Sequence, residues 1–232
     1  MTASRAVLDS RAMKAGLLIA AGLLCTVMCT GAWARHRSHS SGTPGEFDYY
    51  LLSLSWSPAY CLDAPGAAEC NGPRRYGFIV HGLWPQYERG APEHCNVHRE
   101  VPEDVVRGVA DFMPARNLVY HEWSAHGTCS GLEPADYFSL VRRAYASVVM
   151  PPQLTAPGAP VQMPTTAIAE SFLRSNPRLP AQAMLVTCSS QGAPRLREVR
   201  VCFDRALAPR PCSADVVRGA CRAPELIVPP IR

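Results

Sequence analysis

Tyr49-Tyr50-Leu51-Leu52-Ser53-Leu54-Ser55-Trp56 is the stretch whose reading decides the fold. Tyr50, Leu52, Leu54 and Trp56 alternate with Tyr49, Leu51, Ser53 and Ser55, the period of two expected of a strand with one buried face. Pro58 is expected to stop it. A second strand candidate, residues 75–80, runs directly into His81-Gly82-Leu83-Trp84-Pro85. Far downstream, residues 184–189 and 196–203 flank Gln191-Gly192-Ala193-Pro194, a hairpin connection. Val199, Val201 and Phe203 share one face of the second of these strands, while Glu198 and Arg200 point away. Leu226-Ile227-Val228 adds a last short strand.

Between these strands the spacing turns helical. Pro102 stands at a first helical position, and Val105, Val106, Val109, Phe112 and Met113 recur at helical intervals until Pro114. Pro134 opens a second helix, with Tyr137, Leu140, Val141, Ala144, Tyr145 and Val148 on one face and Pro151 at its close. Thr165 or Thr166 caps a third, which carries Ile168, Phe172 and Leu173 and ends near Asn176-Pro177. Residues 151–164 hold five prolines in fourteen positions and read as loop. Without repeats, and without a linker between residues 47 and 232, the pattern predicts a single α+β domain: a central antiparallel sheet with helices packed on it.

The ends and the composition bound the rest. Arg5, Arg11 and Lys14 lead an apolar run that closes on Ala32-Trp33-Ala34, so residues 1–34 read as a signal peptide cut after Ala34. A retained anchor is the rival reading, since roughly 17 apolar residues just span a bilayer. Residues 35–46, rich in Ser, Gly, His and Arg, read as a flexible tail ahead of a domain at 47–232. The chain's 22 arginines and single lysine nearly balance its 19 acids, which argues against gripping nucleic acid by charge alone. Eight cysteines remain after Ala34, and an even count in an exported chain reads as four disulfides, with 105 pairings open. No C-x-x-C pair occurs among them, which disfavours structural zinc.

Three of the seven histidines stand in dense surroundings. His81 follows Phe78-Ile79-Val80, and His121 and His126 bracket His121-Glu122-Trp123-Ser124-Ala125-His126-Gly127-Thr128-Cys129. His36, His39, His94 and His98 read as solvated surface. The bland account of His81 is a strand-end histidine bonded to a backbone carbonyl; that of the other segment is a polar helical turn. On a helix Glu122 and His126 share a face and His121 is rotated away, so the zinc pattern H-E-x-x-H fails by one residue of register. Two imidazoles and a carboxyl without metal suit RNA cleavage. One imidazole can be neutral as base while another is charged as acid. The substrate brings its own 2′-hydroxyl nucleophile, and DNA, lacking it, is inert.

Both segments resemble the active-site motifs of the ribonuclease T2 family, which usually read F-x-x-H-G-L-W-P and H-E-W-x-K-H-G-T-C; residues 78–85 and 121–129 match them in order. The strands at 50–56 and 196–202 resemble the family's opening and closing strands, so the likeness covers most of residues 47–228. It implies a disulfide-stapled fold of the ribonuclease T2 type and a metal-independent endoribonuclease. Such an enzyme cleaves single-stranded RNA, with broad base preference, to a 2′,3′-cyclic phosphate and then to a 3′-phosphate. It implies His81 as general acid, His126 as general base, His121 on the phosphate and Glu122 stabilising the transition state. Trp84 either stacks on a base or packs in the core; Trp123 packs. Cys95 would pair with Cys129, Cys188 with Cys221 and Cys202 with Cys212, leaving Cys61 for Cys70. No cofactor and no metal are expected, RNA is the partner, and the enzyme is expected to be a secreted or periplasmic monomer. One departure stands out: Ala125 occupies the position of the family's lysine. A relative that binds RNA without cleaving it is the alternative that this departure keeps open.

Overall fold

The computed structural model describes residues 42–155, 157–189 and 192–231. The expected signal peptide and most of the expected tail lie outside the described residues. Within the part of the expected tail that is described, Glu46 N–H bonds Thr43 O in a turn, and Gly45 N–H bonds Cys129 O.

In chain order the elements are β1 (Tyr49–Trp56), α1 (Ser57–Asp63), α2 (Ala68–Asn71), β2 (Phe78–Gln86), α3 (Glu103–Gly108), α4 (Arg116–Ala125), α5 (Pro134–Ala146), β3 (Val161–Pro164), α6 (Thr165–Ser175), β4 (Met184–Cys188), β5 (Leu196–Phe203), α7 (Ala214–Val217) and β6 (Glu225–Val228). Four strands form an antiparallel sheet in the order β2-β1-β5-β4, so the expected α+β architecture stands. The hairpin of β4 and β5 is where the turn residues put it.

Several boundaries moved for physical reasons. The first strand ends at Trp56, ahead of Pro58 as expected, and Pro58 then sits in the first turn of α1, where a missing N–H costs nothing. The second strand runs through the motif to Gln86 rather than stopping at Val80. The first expected helix is only α3, yet Phe112 and Met113 are buried as its periodicity required. The proline-rich loop hides β3, which pairs with β6 in a separate two-stranded sheet.

The central strand β1 departs most from its reading: nearly every residue on both of its faces is buried. Tyr50, Leu52, Leu54 and Trp56 join the main core with Phe112, Tyr137, Phe172 and Val199. Tyr49 and Leu51 pack on the opposite face against Leu185, Cys202 and Val216. Ser53 lies on that second face too and is fully buried, with Ser55 beside it only partly covered. Four disulfides staple the fold in the pairing that the family resemblance implies: Cys61–Cys70, Cys95–Cys129, Cys188–Cys221 and Cys202–Cys212.

Candidate active site

The second face of the sheet carries the site. Along β1 and β2 the register pairs Ser53 with Gly82 and Leu54 with Val80, which leaves His81 as the extra residue of a β-bulge. Bulges re-aim a side chain out of the regular pleat. On the other side of β1, Ser53 pairs with Arg200 and Ser55 with Glu198. The two serines are short, so His81 from β2 and Glu198 from β5 meet above them. His81 Nδ1 lies 2.8 Å from Glu198 Oε1.

Helix α4 closes the site from above. Its last turn presents Glu122, which is 1% exposed. Trp84 donates its indole N–H to Glu122 Oε2 at 2.6 Å, and Glu122 Oε1 stands 3.5 Å from His81 Nε2. This approach depends on Gly82, because a Cβ there would fall 2.0 Å from Glu122 Oε2 and 2.2 Å from Trp84 Nε1. His126 follows at the end of the helix, its N–H bonded to Glu122 O at 3.0 Å. This bond continues the helical i to i+4 pattern by one residue, with His126 as the cap of α4.

Trp84 neighbours both imidazoles. Its ring centroid is 5.2 Å from that of His81 and 5.2 Å from that of His126, so the two imidazoles are separated by at most twice that, about 10 Å. The Arg200 guanidinium lies 5.3 Å from the same indole ring. Trp84 is thus partly covered within the polar site and tied to Glu122. Trp123, by contrast, is buried and donates to Arg99 O. His121 is exposed on α4 while its neighbour Glu122 is buried, and its charge is felt at His126.

The two imidazoles sit in opposite electrostatic settings. Burial pulls His126 down to about 3, reinforced by the charges of His121, His81 and His94. No carboxylate faces it, and its Nδ1 is buried with no hydrogen-bond partner among the described residues. Burial acts to lower His81 as well, but the hydrogen bond to Glu198 and the charges of Glu122 and Glu198 together outweigh it and raise its pKa. Burial lifts Glu122 to about 7, against the pull of His81 and the Trp84 N–H. Glu198, although buried, is brought down to about 2 by its bonds to His81 and Arg200 and by their charges. Two carboxyls in one site are thereby pushed apart, one ready to carry a proton near neutrality and one ionised.

Reading the sequence missed Glu198 and Arg200, which it sent to the solvent side of β5. Glu198 is 2% exposed and accepts two bonds from Arg200, from Nε at 2.9 Å and Nη2 at 2.7 Å. Opposite charges two residues apart on one strand face, between buried valines, were the available signal. His94 was missed also: it is half-buried at φ 49°, and its N–H bonds Ala125 O at 2.8 Å. The Cys95–Cys129 disulfide clips the same loop to the end of α4. Ala125 is itself buried. Among the described residues, no three side chains of His, Cys, Asp or Glu converge as metal ligands.

A model of the ribonuclease T2 family matches residues 47–212, a stretch that includes both motifs and most of the sheet. The chain belongs to the ribonuclease T2 family. Within it, a ribonuclease of Aeromonas hydrophila is 43% identical over 114 residues, 49% of this chain and 52% of that protein. Ribonuclease DdI of Dictyostelium discoideum is 30% identical over 146 residues, 55% of this chain and 62% of its own. The chain spans about half the length of the first two curated relatives, 52% and 45%. Solved members share the fold of this T2-family chain. An RNase-related protein from Calystegia sepium superposes with a TM-score of 0.63 at 22% identity, covering 80% of this chain and 98% of that one. A mutant of RNase MC1 in complex with 5′-UMP gives 0.60 at 20% identity, with 78% and 98% covered.

Proposed function

We propose that this chain is an exported endoribonuclease that cleaves single-stranded RNA without a metal, first to a 2′,3′-cyclic phosphate and then to a 3′-phosphate. One observation carries the reading: two imidazoles lie against one indole, one hydrogen-bonded to a carboxyl with a second 3.5 Å away and the other with its Nδ1 unpartnered among the described residues. The first favours its charged form and the second its neutral form, which is the division of labour that acid–base cleavage needs.

In the first step neutral His126 takes the proton of the 2′-hydroxyl, whose oxygen attacks phosphorus. Charged His81 gives its proton to the departing 5′-oxygen. Burial holds His126 far below neutrality in the empty protein, yet the negative charge of an arriving phosphodiester draws it back upward. Glu122, carrying a proton near pH 7, can donate to a phosphoryl oxygen instead of repelling it. His121, exposed at the rim, supplies a further donor to the phosphate. In the second step the roles exchange, and water opens the cyclic ester. Trp84 offers a face for a base, and stacking discriminates weakly among bases, consistent with broad preference.

The site proposed here needs no residue from a second copy, so a monomer would suffice for the reaction. Four disulfides suit an oxidising compartment, periplasmic or extracellular. No helix among the described residues is long and apolar enough to cross a membrane.

The test is incubation of the purified protein with RNA and with DNA of matched sequence in excess chelator, with the product ends identified. Cyclic phosphate that converts to 3′-phosphate, with DNA intact, is expected. Cleaved DNA, 5′-phosphate ends or activity abolished by chelator would each overturn the proposal. RNA bound but never cut would favour the non-catalytic alternative.

A further inference from the structure

The strand β5 places an ion pair under His81 that the roles above do not use. Glu198 is 2% exposed, and a buried carboxylate persists only where partners hold it. Its oxygens are divided between two functions. Oε2 accepts both Arg200 bonds, at 2.9 and 2.7 Å. Oε1 takes His81 Nδ1 at 2.8 Å, with the Ser55 hydroxyl more distant at 3.4 Å. The carboxylate is thus fixed from one side and spends its remaining oxygen on an imidazole.

The consequence for the ring is geometric. With Nδ1 bound below, Nε2 is the edge that faces Glu122 and the side of the site where Trp84 leads to His126. A ring with neither nitrogen held could turn about its Cβ–Cγ bond and present either edge. His81 sits on a bulge, where the sheet alone does not fix the side chain, so the direction of the ring must come from its partner.

We infer that Glu198, clamped by Arg200, is the positioning residue of this site: it accepts the Nδ1–H of His81 and so aims Nε2–H at the departing oxygen of the substrate. The inference rests on the acid role proposed for His81. No bond to Glu198 breaks during turnover; the proton that leaves Nε2 for the leaving group is regained when the cyclic ester is hydrolysed. The groups facing His81 are Glu198 and Arg200 from β5, Glu122 from α4, His126 at the end of α4 and the Ser55 hydroxyl of β1. Of the ionisable ones, only the two carboxyls favour the charged ring, and Glu198 is the one in direct hydrogen-bond contact.

The experiment compares the parent protein with Glu198→Gln and with the double variant Glu198→Gln/Arg200→Gln, which removes the stranded guanidinium. kcat/KM for a dinucleotide is followed against pH, and the His81 ring is titrated by NMR without substrate. Glu198→Gln is expected to lower kcat/KM by roughly 10- to 100-fold, part of what an acid–base catalyst supplies. It should also move the alkaline limb, where His81 loses its proton, to lower pH by about one unit or more. The NMR titration should move the same way, and Glu198→Asp should restore part of the rate. An unmoved alkaline limb and an unmoved His81 titration in a folded, active Glu198→Gln protein would overturn the inference while leaving the ribonuclease reading intact. A parent protein that cuts no RNA would overturn that reading instead, and the NMR shift would still report whether Glu198 governs His81.

Discussion

Gly82→Ala is the smallest change that tests how the site is built, because it adds one methyl and replaces no side chain assigned a role in the reaction. A Cβ at position 82 would stand 2.0 Å from Glu122 Oε2, 2.9 Å from Glu122 Cδ and 2.2 Å from Trp84 Nε1. Glu122 and Trp84 would have to retreat by more than an ångström, and their mutual 2.6 Å bond runs through the space the methyl claims. Glu122 has little room, being 1% exposed, and a shift of the partly covered Trp84 would change its contacts with both imidazoles. Overpacking costs about 1–3 kcal/mol, and a buried carboxyl deprived of its donor about 1–3 kcal/mol more. Part of this relaxes, so a net loss of about 2–4 kcal/mol is expected, a fall in Tm of about 5–15 °C. Displacement by about 1 Å costs on the order of 100-fold in rate. Thermal denaturation and the initial rate of RNA cleavage, measured well below the new Tm, read the two effects separately. A Gly82→Ala protein that melts with the parent and cleaves at the parent rate would refute the claim that this close approach assembles the site.

Four further outcomes are expected. His81→Ala or His126→Ala should abolish cleavage to within background, whereas His98→Ala, at an exposed position, should cleave like the parent; equal loss in all three would mean the wrong histidines are assigned. Stability should fall as pH drops from about 6.5 toward about 3, because His126 refuses in the fold a proton that the unfolded chain accepts; His126→Phe should flatten that part of the denaturation profile, and an unchanged profile counts against the burial argument. Ala125→Lys, which places a long cation where the parent buries a methyl, should lower stability by about 1–3 kcal/mol, and an unchanged Tm would mean that the site has space for the family's lysine. Replacing Cys95 and Cys129 together by Ala should cost about 2–4 kcal/mol and depress cleavage by releasing the loop from the end of α4; calorimetry and rate together check it.

What the sequence could declare followed from which forces are local. The alternation in residues 49–56 and 196–203 and the helical spacing after Pro134 and Thr165 all became the elements they predict, because apolar periodicity encodes burial directly. Pro58 marked the end of the strand, but the helix it opens was not legible, because a proline that ends a strand and one that begins a helix look alike in a string of letters. β3 was hidden because its partner, β6, lies some sixty positions downstream. The histidines and Glu122 were legible through their motifs, but Glu198 and Arg200 were not. A charged strand residue reads as solvent-facing by default, and only the register that sets Ser55 opposite Glu198 and Ser53 opposite Arg200 brings them under His81.

The opposite charge preferences of His81 and His126 follow from topology rather than from either residue's neighbours in the chain. β1 occupies the middle of the sheet with β2 on one side and β5 on the other, so any side chain rising from the β2 bulge can be answered by one from β5 across a lane of serines. That lane delivers a carboxylate to His81. His126 instead caps a helix whose end is joined to a disulfide-clipped loop, and the charges that act on it are those of other histidines. An acid and a base drawn from one residue type thus need no difference in chemistry, only one imidazole on a strand edge that faces carboxylates and one at a helix end that faces none. Exchanging those settings, by giving His126 a carboxylate partner and removing that of His81, should invert the preferred protonation states, and NMR titration of the two rings is the measurement that decides it.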